Sequence, residues 1–269
     1  DFLSLLALAQ LAREQGDDDA AEIKLREALA LGRERGFSFA MFWLPEQLAR
    51  LCAFALERKI ETAYVASLVR SRNLTPDPPS CRLEIWPWIW KIRVLGHFSL
   101  ESTSREDAAP GARTQSRALE LLKAIACLNG QQVPLVRIAD AMWPRIDSDY
   151  AQRSLTTTLH RLRKLLGDDS AITLQSGMLS LDANRFWLDL WALDEALGQW
   201  RALTQPAAVT TGPGALTHEA LLRATDRVMR LYRGPLLQQD LDLAWVAAPR
   251  QQLHARVIHF IGSAAQSLE

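Results

Sequence analysis

Apolar positions along the chain change their period several times, and the changes divide it. Leu5, Leu8, Leu11 and Ala12 share one face of a 3.6-residue repeat and predict a first helix. Gly16 ends that run. Asp17-Asp18-Asp19 then sets carboxylates at the start of a second helix, where the helix dipole favours them. Ala21, Leu25, Ala28, Leu29 and Gly32 stripe this second helix, which stops at Gly36, and two more helices are expected over residues 39–58 and 61–72. Three prolines within Leu74–Ser80 cannot continue a helix and read as a linker.

Beyond the linker the period falls from 3.6 to 2. Trp86, Trp88, Trp90, Ile92 and Val94 line one face of an aromatic, β-branched run, and Gly96 turns it toward a second short strand at His97–Glu101. A tryptophan stripe could serve as a base-stacking platform; a buried face joining a sheet to its neighbour is the plainer reading. A polar loop over 102–113 follows.

From 115 to 182 the order of elements is informative. A helix over Gln115–Leu128 places Leu119, Leu122, Ile125 and Ala126 inward and stops at Asn129-Gly130. A second begins at Pro134, a residue suited to a first turn, and ends before Pro144. A third spans Tyr150–Leu166, and Ala171–Asp182 alternates around Ser176-Gly177 as a tight hairpin does. Three helices and a hairpin make a winged helix-turn-helix.

The faces of the third helix can be counted at about 100° per residue. With Leu155 at zero, Leu159, Leu162 and Leu166 fall at about 40°, −20° and 20°, a narrow apolar seam. Arg153, Thr157, His160, Arg161 and Lys164 fall at about 160°, 200°, 140°, 240° and 180°, opposite that seam. This outward face holds no acid and no large apolar residue. It offers cations for phosphates, guanidinium for guanine O6 and N7, and threonine for backbone oxygens or a thymine methyl. Arg153, Thr156, Thr157, His160, Arg161 and Lys164 are therefore the candidate contacts to duplex DNA, with Arg161 and Thr157 assigned to base edges. Gln175 and Ser176, at the wing tip, are added for the minor groove or a phosphate. A merely solvated basic face is the competing reading.

Charge supports this placement. The 269 residues carry 31 basic and 31 acidic side chains, which excludes a polycationic chromatin-type protein. The balance is −2 over 1–80, +3 over 113–181 and −1 over 182–269, so an anion would be met in the middle. No apolar run approaches the ~18 residues that span a bilayer, and three separated cysteines (Cys52, Cys81, Cys127) in apolar settings suit reduced thiols in a cytoplasm. Five histidines form no His-Glu-x-x-His pattern, and His254 and His259 lie about 140° off register on a helix. Gly212-Pro213-Gly214 is a proline-stiffened loop rather than a phosphate cradle, and no Gly-x-Ser-x-Gly elbow occurs. Neither a catalytic site, a metal site nor a cofactor is expected.

Two resemblances add to this. The first two helices, joined at Gly-Asp, look like one tetratricopeptide unit, with a generic helical hairpin array as the alternative. The runs Trp86–Phe98, Gln115–Lys123, Ile138–Pro144 and Leu155–Gly167 resemble the OmpR-type winged helix of streptomycete antibiotic regulatory proteins, and Trp187–Asp194 with Leu231–Leu237 resembles the opening of their bacterial transcriptional activation domain. The array before the linker looks like the tail of the repeat sensor in large MalT-like regulators. The fold expected is mainly α with small β-sheets: a tetratricopeptide-like array over 1–74, a linker over 75–85, the winged helix over 86–186 and a truncated helical activation domain over 187–269. The resemblance implies third-helix readout of double-stranded DNA at direct repeats, self-association on DNA, and a cytoplasmic, nucleoid-associated activator. It also implies that the loop between the second and third helices, with Arg145, Asp147, Ser148 and Asp149, touches RNA polymerase. No Gly-x-x-x-x-Gly-Lys-Ser/Thr loop occurs, so an ATPase would lie upstream of Asp1. The rival class is a protein-interaction scaffold whose winged fold does not bind DNA.

Overall fold

The computed structural model describes residues 1–37, 44–76, 83–102, 114–204 and 218–268. The chain divides into two compact units, Asp1–Trp88 and Ile89–Glu269. It is mainly helical with two small three-stranded sheets. Most of the expected linker, the loop after the second strand, the Gly212-Pro213-Gly214 segment and Cys81 lie outside the described residues.

The first unit holds α1 (Phe2–Glu14), α2 (Asp18–Arg35), α3 (Pro45–Glu57) and α4 (Thr62–Ser71). Asp17 caps α2 by accepting from the Ala20 N–H at 3.0 Å, one of the orphan donors of a helix start. The stripe Ala21, Leu25, Ala28, Leu29 and Gly32 is buried as the spacing predicts. Its partner α1 differs from expectation. Phe2, Leu6, Ala9 and Ala12 are buried, while Leu8 and Leu11 stay about half exposed, at 48% and 50%. Leucines occur on both sides of α1, and the packed stripe combines an aromatic ring with two small alanines, which suits a close helix pair. Close approach also explains Gly32: a Cβ there would come within 2.9 Å of both the Tyr64 ring and the Phe2 ring. Burial lifts the Tyr64 phenol to about 12, and its hydroxyl donates to the Phe37 carbonyl at 2.5 Å. In α3 the Phe54 ring receives the Arg13 and Arg58 guanidinium groups at 4.3 and 5.2 Å. Cys52 is a free, buried thiol, raised by desolvation to about 12.

The period-2 run yields a shorter strand than its alternation suggests. Trp86, Trp88, Trp90, Ile92 and Val94 are all buried, yet β1 spans only Trp90–Arg93. Upstream, Pro87 has no N–H for a ladder, and the indole of Trp88 donates instead to the Leu83 carbonyl at 2.7 Å.

In the second unit β1 pairs antiparallel with β2 (Ser99–Ser102) and parallel with β6 (Phe186–Leu188), giving the order β2-β1-β6. Between these strands lie α5 (Thr114–Cys127), β3 (Val133–Pro134), α6 (Leu135–Met142), α7 (Ser148–Leu166), β4 (Ile172–Gln175) and β5 (Met178–Leu181). After β6 come α8 (Asp189–Thr204), α9 (His218–Leu231), a 3-10 turn at Ala244–Val246 and α10 (Ala247–Leu268). Pro134 stands just before α6 and pairs with Met178 across β3 and β5, where the spacing had placed it inside the helix. On α5, Leu122, Ile125 and Ala126 are buried as expected. Leu121 and Ala124 join them, and Leu119 is only half-buried.

One buried carboxylate stitches the second unit together. Asp189, the first residue of α8, accepts the Leu95 N–H at 2.8 Å and the Val94 N–H at 2.9 Å, beyond the end of β1. Burial raises its carboxyl to about 6, against the opposing pull of the Leu95, Val94 and Leu190 amides and the Arg93 charge. Cys127 is a free thiol pushed upward by burial.

Candidate nucleic-acid interface

The site is built on α7. Asp147 caps it by accepting from the Asp149 N–H at 2.9 Å. Gly167 ends it in the left-handed conformation at φ 73°, with its N–H on the Arg163 carbonyl at 2.9 Å. Ala151, Leu155, Thr158, Leu159, Leu162 and Leu166 form the buried seam, and α7 packs against α5 and α6 in the core of the unit. Three consecutive threonines sit mid-helix because each hydroxyl donates to the carbonyl four residues back: Thr156 to Gln152 at 3.0 Å, Thr157 to Arg153 at 3.0 Å and Thr158 to Ser154 at 2.7 Å.

Opposite the seam, Arg153, Thr156, Thr157, His160, Arg161 and Lys164 are all exposed. Among the described residues, none of the four ionisable groups in that set has a hydrogen-bond or ion-pair partner. Their charge is exposed, with no acid among the described residues paired to it.

The wing stands beside this helix. β4 and β5 pair antiparallel from Ile172↔Leu181 to Gln175↔Met178, and β3 adds a third strand to β5. Ser176 and Gly177 both have positive φ, 50° and 76°, the backbone of a two-residue turn whose twist matches its strands. Gln175 and Ser176 are exposed at that tip. Position 163 looks outward in composition but faces the wing. Arg163 donates from Nε and Nη2 to the Ile172 carbonyl at 3.1 and 2.7 Å, locking β4 to α7. At the far end of the hairpin, Arg185 pairs with Asp168 and, at 3.1 Å, with Asp182. The third helix and the wing are therefore tied together through Arg163 and Arg185.

The loop before α7 is held from below and open above. Arg117 donates to the Met142 carbonyl at 2.6 Å and lies over the Trp143 ring at 5.2 Å. Arg145, at φ 71°, and Asp147, Ser148 and Asp149 are all exposed. Periodicity did not single out Val136, Ile146 and Tyr150, three large apolar or aromatic side chains exposed on α6, this loop and the first turn of α7. On α6 the apolar stripe Leu135, Ile138, Ala139 and Met142 accounts for the buried side, and Val136 falls outside it.

Three helices closed by a three-stranded wing define a winged helix-turn-helix. No protein-family model and no curated protein matches the sequence. A solved structure of Mycobacterium tuberculosis EmbR in complex with a low-affinity phosphopeptide is similar at 19% identity and a TM-score of 0.44, over 63% of this chain. The likeness spans 43% of that chain, less than half its length. Among the described residues, no three His, Cys, Asp or Glu side chains come together as a metal ion would require, and no helix is long and apolar enough to cross a membrane.

Proposed function

We propose that the chain is a sequence-specific DNA-binding transcriptional regulator in which α7 enters the major groove and the wing tip at Gln175 and Ser176 tracks the adjacent backbone. The observation that carries this reading is the outer face of α7, acid-free from Arg153 to Lys164, with Arg153, Arg161 and Lys164 exposed and unpaired among the described residues. An α-helix fits a groove about 12 Å wide, and such a face supplies donors to phosphates and guanine edges.

The finer assignments belong to the same proposal. The architecture is that of the streptomycete antibiotic regulatory proteins, with a helical array before it as in MalT-like regulators. The α6–α7 loop, with Arg145, Asp147, Ser148 and Asp149, recruits RNA polymerase. Protomers bind in tandem on direct repeats, and the helical segments on either side sense or assemble. The protein acts in the cytoplasm as an activator.

Binding of the whole chain to duplex DNA tests the reading. Affinity should fall with salt on a log–log slope of about −0.9 per phosphate neutralised, hence roughly −3 if Arg153, Arg161 and Lys164 each meet one. Absent or salt-insensitive binding, with the fold intact by circular dichroism, would favour the scaffold reading instead.

A further inference from the structure

Resting on the DNA-binding reading above, we propose that α7 reads guanine and thymine, side by side on one strand, and rejects adenine and cytosine there. In the major groove guanine presents the N7 and O6 acceptors and thymine presents the O4 acceptor and a methyl group. Adenine and cytosine each present an amino donor. A reader of those donors needs acceptors, for which Asn, Gln, Asp and Glu are the usual residues.

The run Arg153–Lys164 contains none of the four. Asp147, Asp149 and Gln152 lie before it, and the Asp147 carboxylate is engaged as the cap of α7. Arg153, Arg161 and Lys164 can only donate. Thr156 and Thr157 have their hydroxyl hydrogens committed to the Gln152 and Arg153 carbonyls, so each offers a partner its γ-methyl and oxygen lone pairs. Beyond those lone pairs, a ring nitrogen of the exposed His160 is the remaining side-chain acceptor on the outer face of the run.

The face is thus rich in donors and methyls and poor in acceptors, the complement of a guanine–thymine edge. Thr157 lies almost directly opposite the leucine seam, flanked one turn away by Arg153 and Arg161, which places a methyl between two guanidinium groups. From Arg153 to Lys164 the helix rises about 16 Å, equivalent to about five base-pair steps.

Selection from a pool of randomised duplexes by the whole chain tests this. The expected result is a core of about five base pairs whose contacted strand is made of guanine and thymine. Replacing its thymines by deoxyuridine, which lacks only the methyl, should weaken binding. The Thr157→Ser variant, which also lacks a methyl, should lose that discrimination, and Thr157→Val, which keeps one, should retain it. Arg161→Ala should weaken binding by roughly 5- to 150-fold and relax preference at one guanine. Both positions are exposed, and unchanged thermal melting will separate loss of readout from loss of fold. A selected core requiring adenine or cytosine on that strand, or indifference of the wild type to deoxyuridine, overturns this inference while leaving DNA binding in place. No enrichment and no salt-dependent binding overturns both.

Discussion

Helices α2 and α7 are nearly equal in length, 18 and 19 residues, and each carries four lysine or arginine side chains. Their charges are treated in opposite ways. On α2, Arg26 meets Glu22 at 2.9 Å, Lys24 meets Glu27 at 3.2 Å, and Arg33 reaches Glu61 on the neck of α4 at 3.0 Å. From the neighbouring α3 end, Arg58 adds a second cation to Glu22 at 2.9 Å. On α7 one arginine is spent on the wing, and Arg153, Arg161 and Lys164 face solvent without a carboxylate among the described residues. A cation count does not separate a solvated scaffold face from a face awaiting a polyanion. The placement of acids does: α2 spaces them three and four residues from its cations, whereas α7 confines its acid to the first turn.

The contrast is broken or sharpened by experiment, beginning with the largest effect. Reversing Arg153, Arg161 and Lys164 together to glutamate should reduce DNA affinity by at least about a hundredfold, while reversing Arg26 and Arg33 should leave it unchanged; filter binding at fixed salt reads both. If the α2 reversal weakens binding as much, the two faces are not functionally distinct. On their inner sides the helices should behave alike. Leu162→Ala and Leu25→Ala, at positions 0% and 1% exposed, should each cost about 2–5 kcal/mol in denaturant unfolding.

The two units should also differ in their response to pH. Asp189 titrates higher when folded, at about 6, than an ordinary aspartate. Its contribution is therefore present below the usual carboxylate range and is lost as pH rises through about 6, an effect on the order of 3 kcal/mol between those limits. Comparing wild type with Asp189→Asn from pH 4 to 8 isolates it: the gap between the two stability curves should shift in that window. Glu22 has the reverse sign. The Arg26 hydrogen bond, aided by Arg58, holds its carboxyl below the usual range, so its contribution is present at neutral pH and is lost as pH falls through the acid range. Because Glu22 is half-buried at the surface, where solvent screens its ion pairs, Glu22→Gln should give the smallest change of the set, seen as a shallower acid limb of the first unit's melting curve.

Legibility followed the range of the interactions. The α7 seam and its Gly167 stop are encoded within one helix length, and the leucine spacing alone picks the buried side, whereas the helix starts at Ser148 behind the Asp147 cap, two residues before the expected Tyr150. The hairpin turn is equally local, since Ser176-Gly177 carries its backbone preference with it. In α1 the same method chose the wrong stripe: Leu8 and Leu11 are as apolar as Leu6, and only the fit of Phe2 and Ala9 to a neighbouring helix decides between them. The face count left Arg163 out of the outward set, at about 80° from Leu155, but its partner, the Ile172 carbonyl, lies on another element and was not legible.

From sequence alone follow the helix-turn-helix order, the wing, and a cationic face free of acids, because each depends on residues a few positions apart and on the fixed geometry of a helix or a turn. Tertiary structure alone decided that β6 completes the sheet begun by β1, almost a hundred residues earlier in the chain, and that Asp189 is buried to hold the Val94 and Leu95 amides. It also decided which arginines are spent inside the molecule and which stay free. Those outcomes turn on partners that local periodicity does not encode: a carboxylate or a carbonyl becomes a neighbour only when distant segments pack, and the cost of leaving a buried polar group unpaired then selects the arrangement.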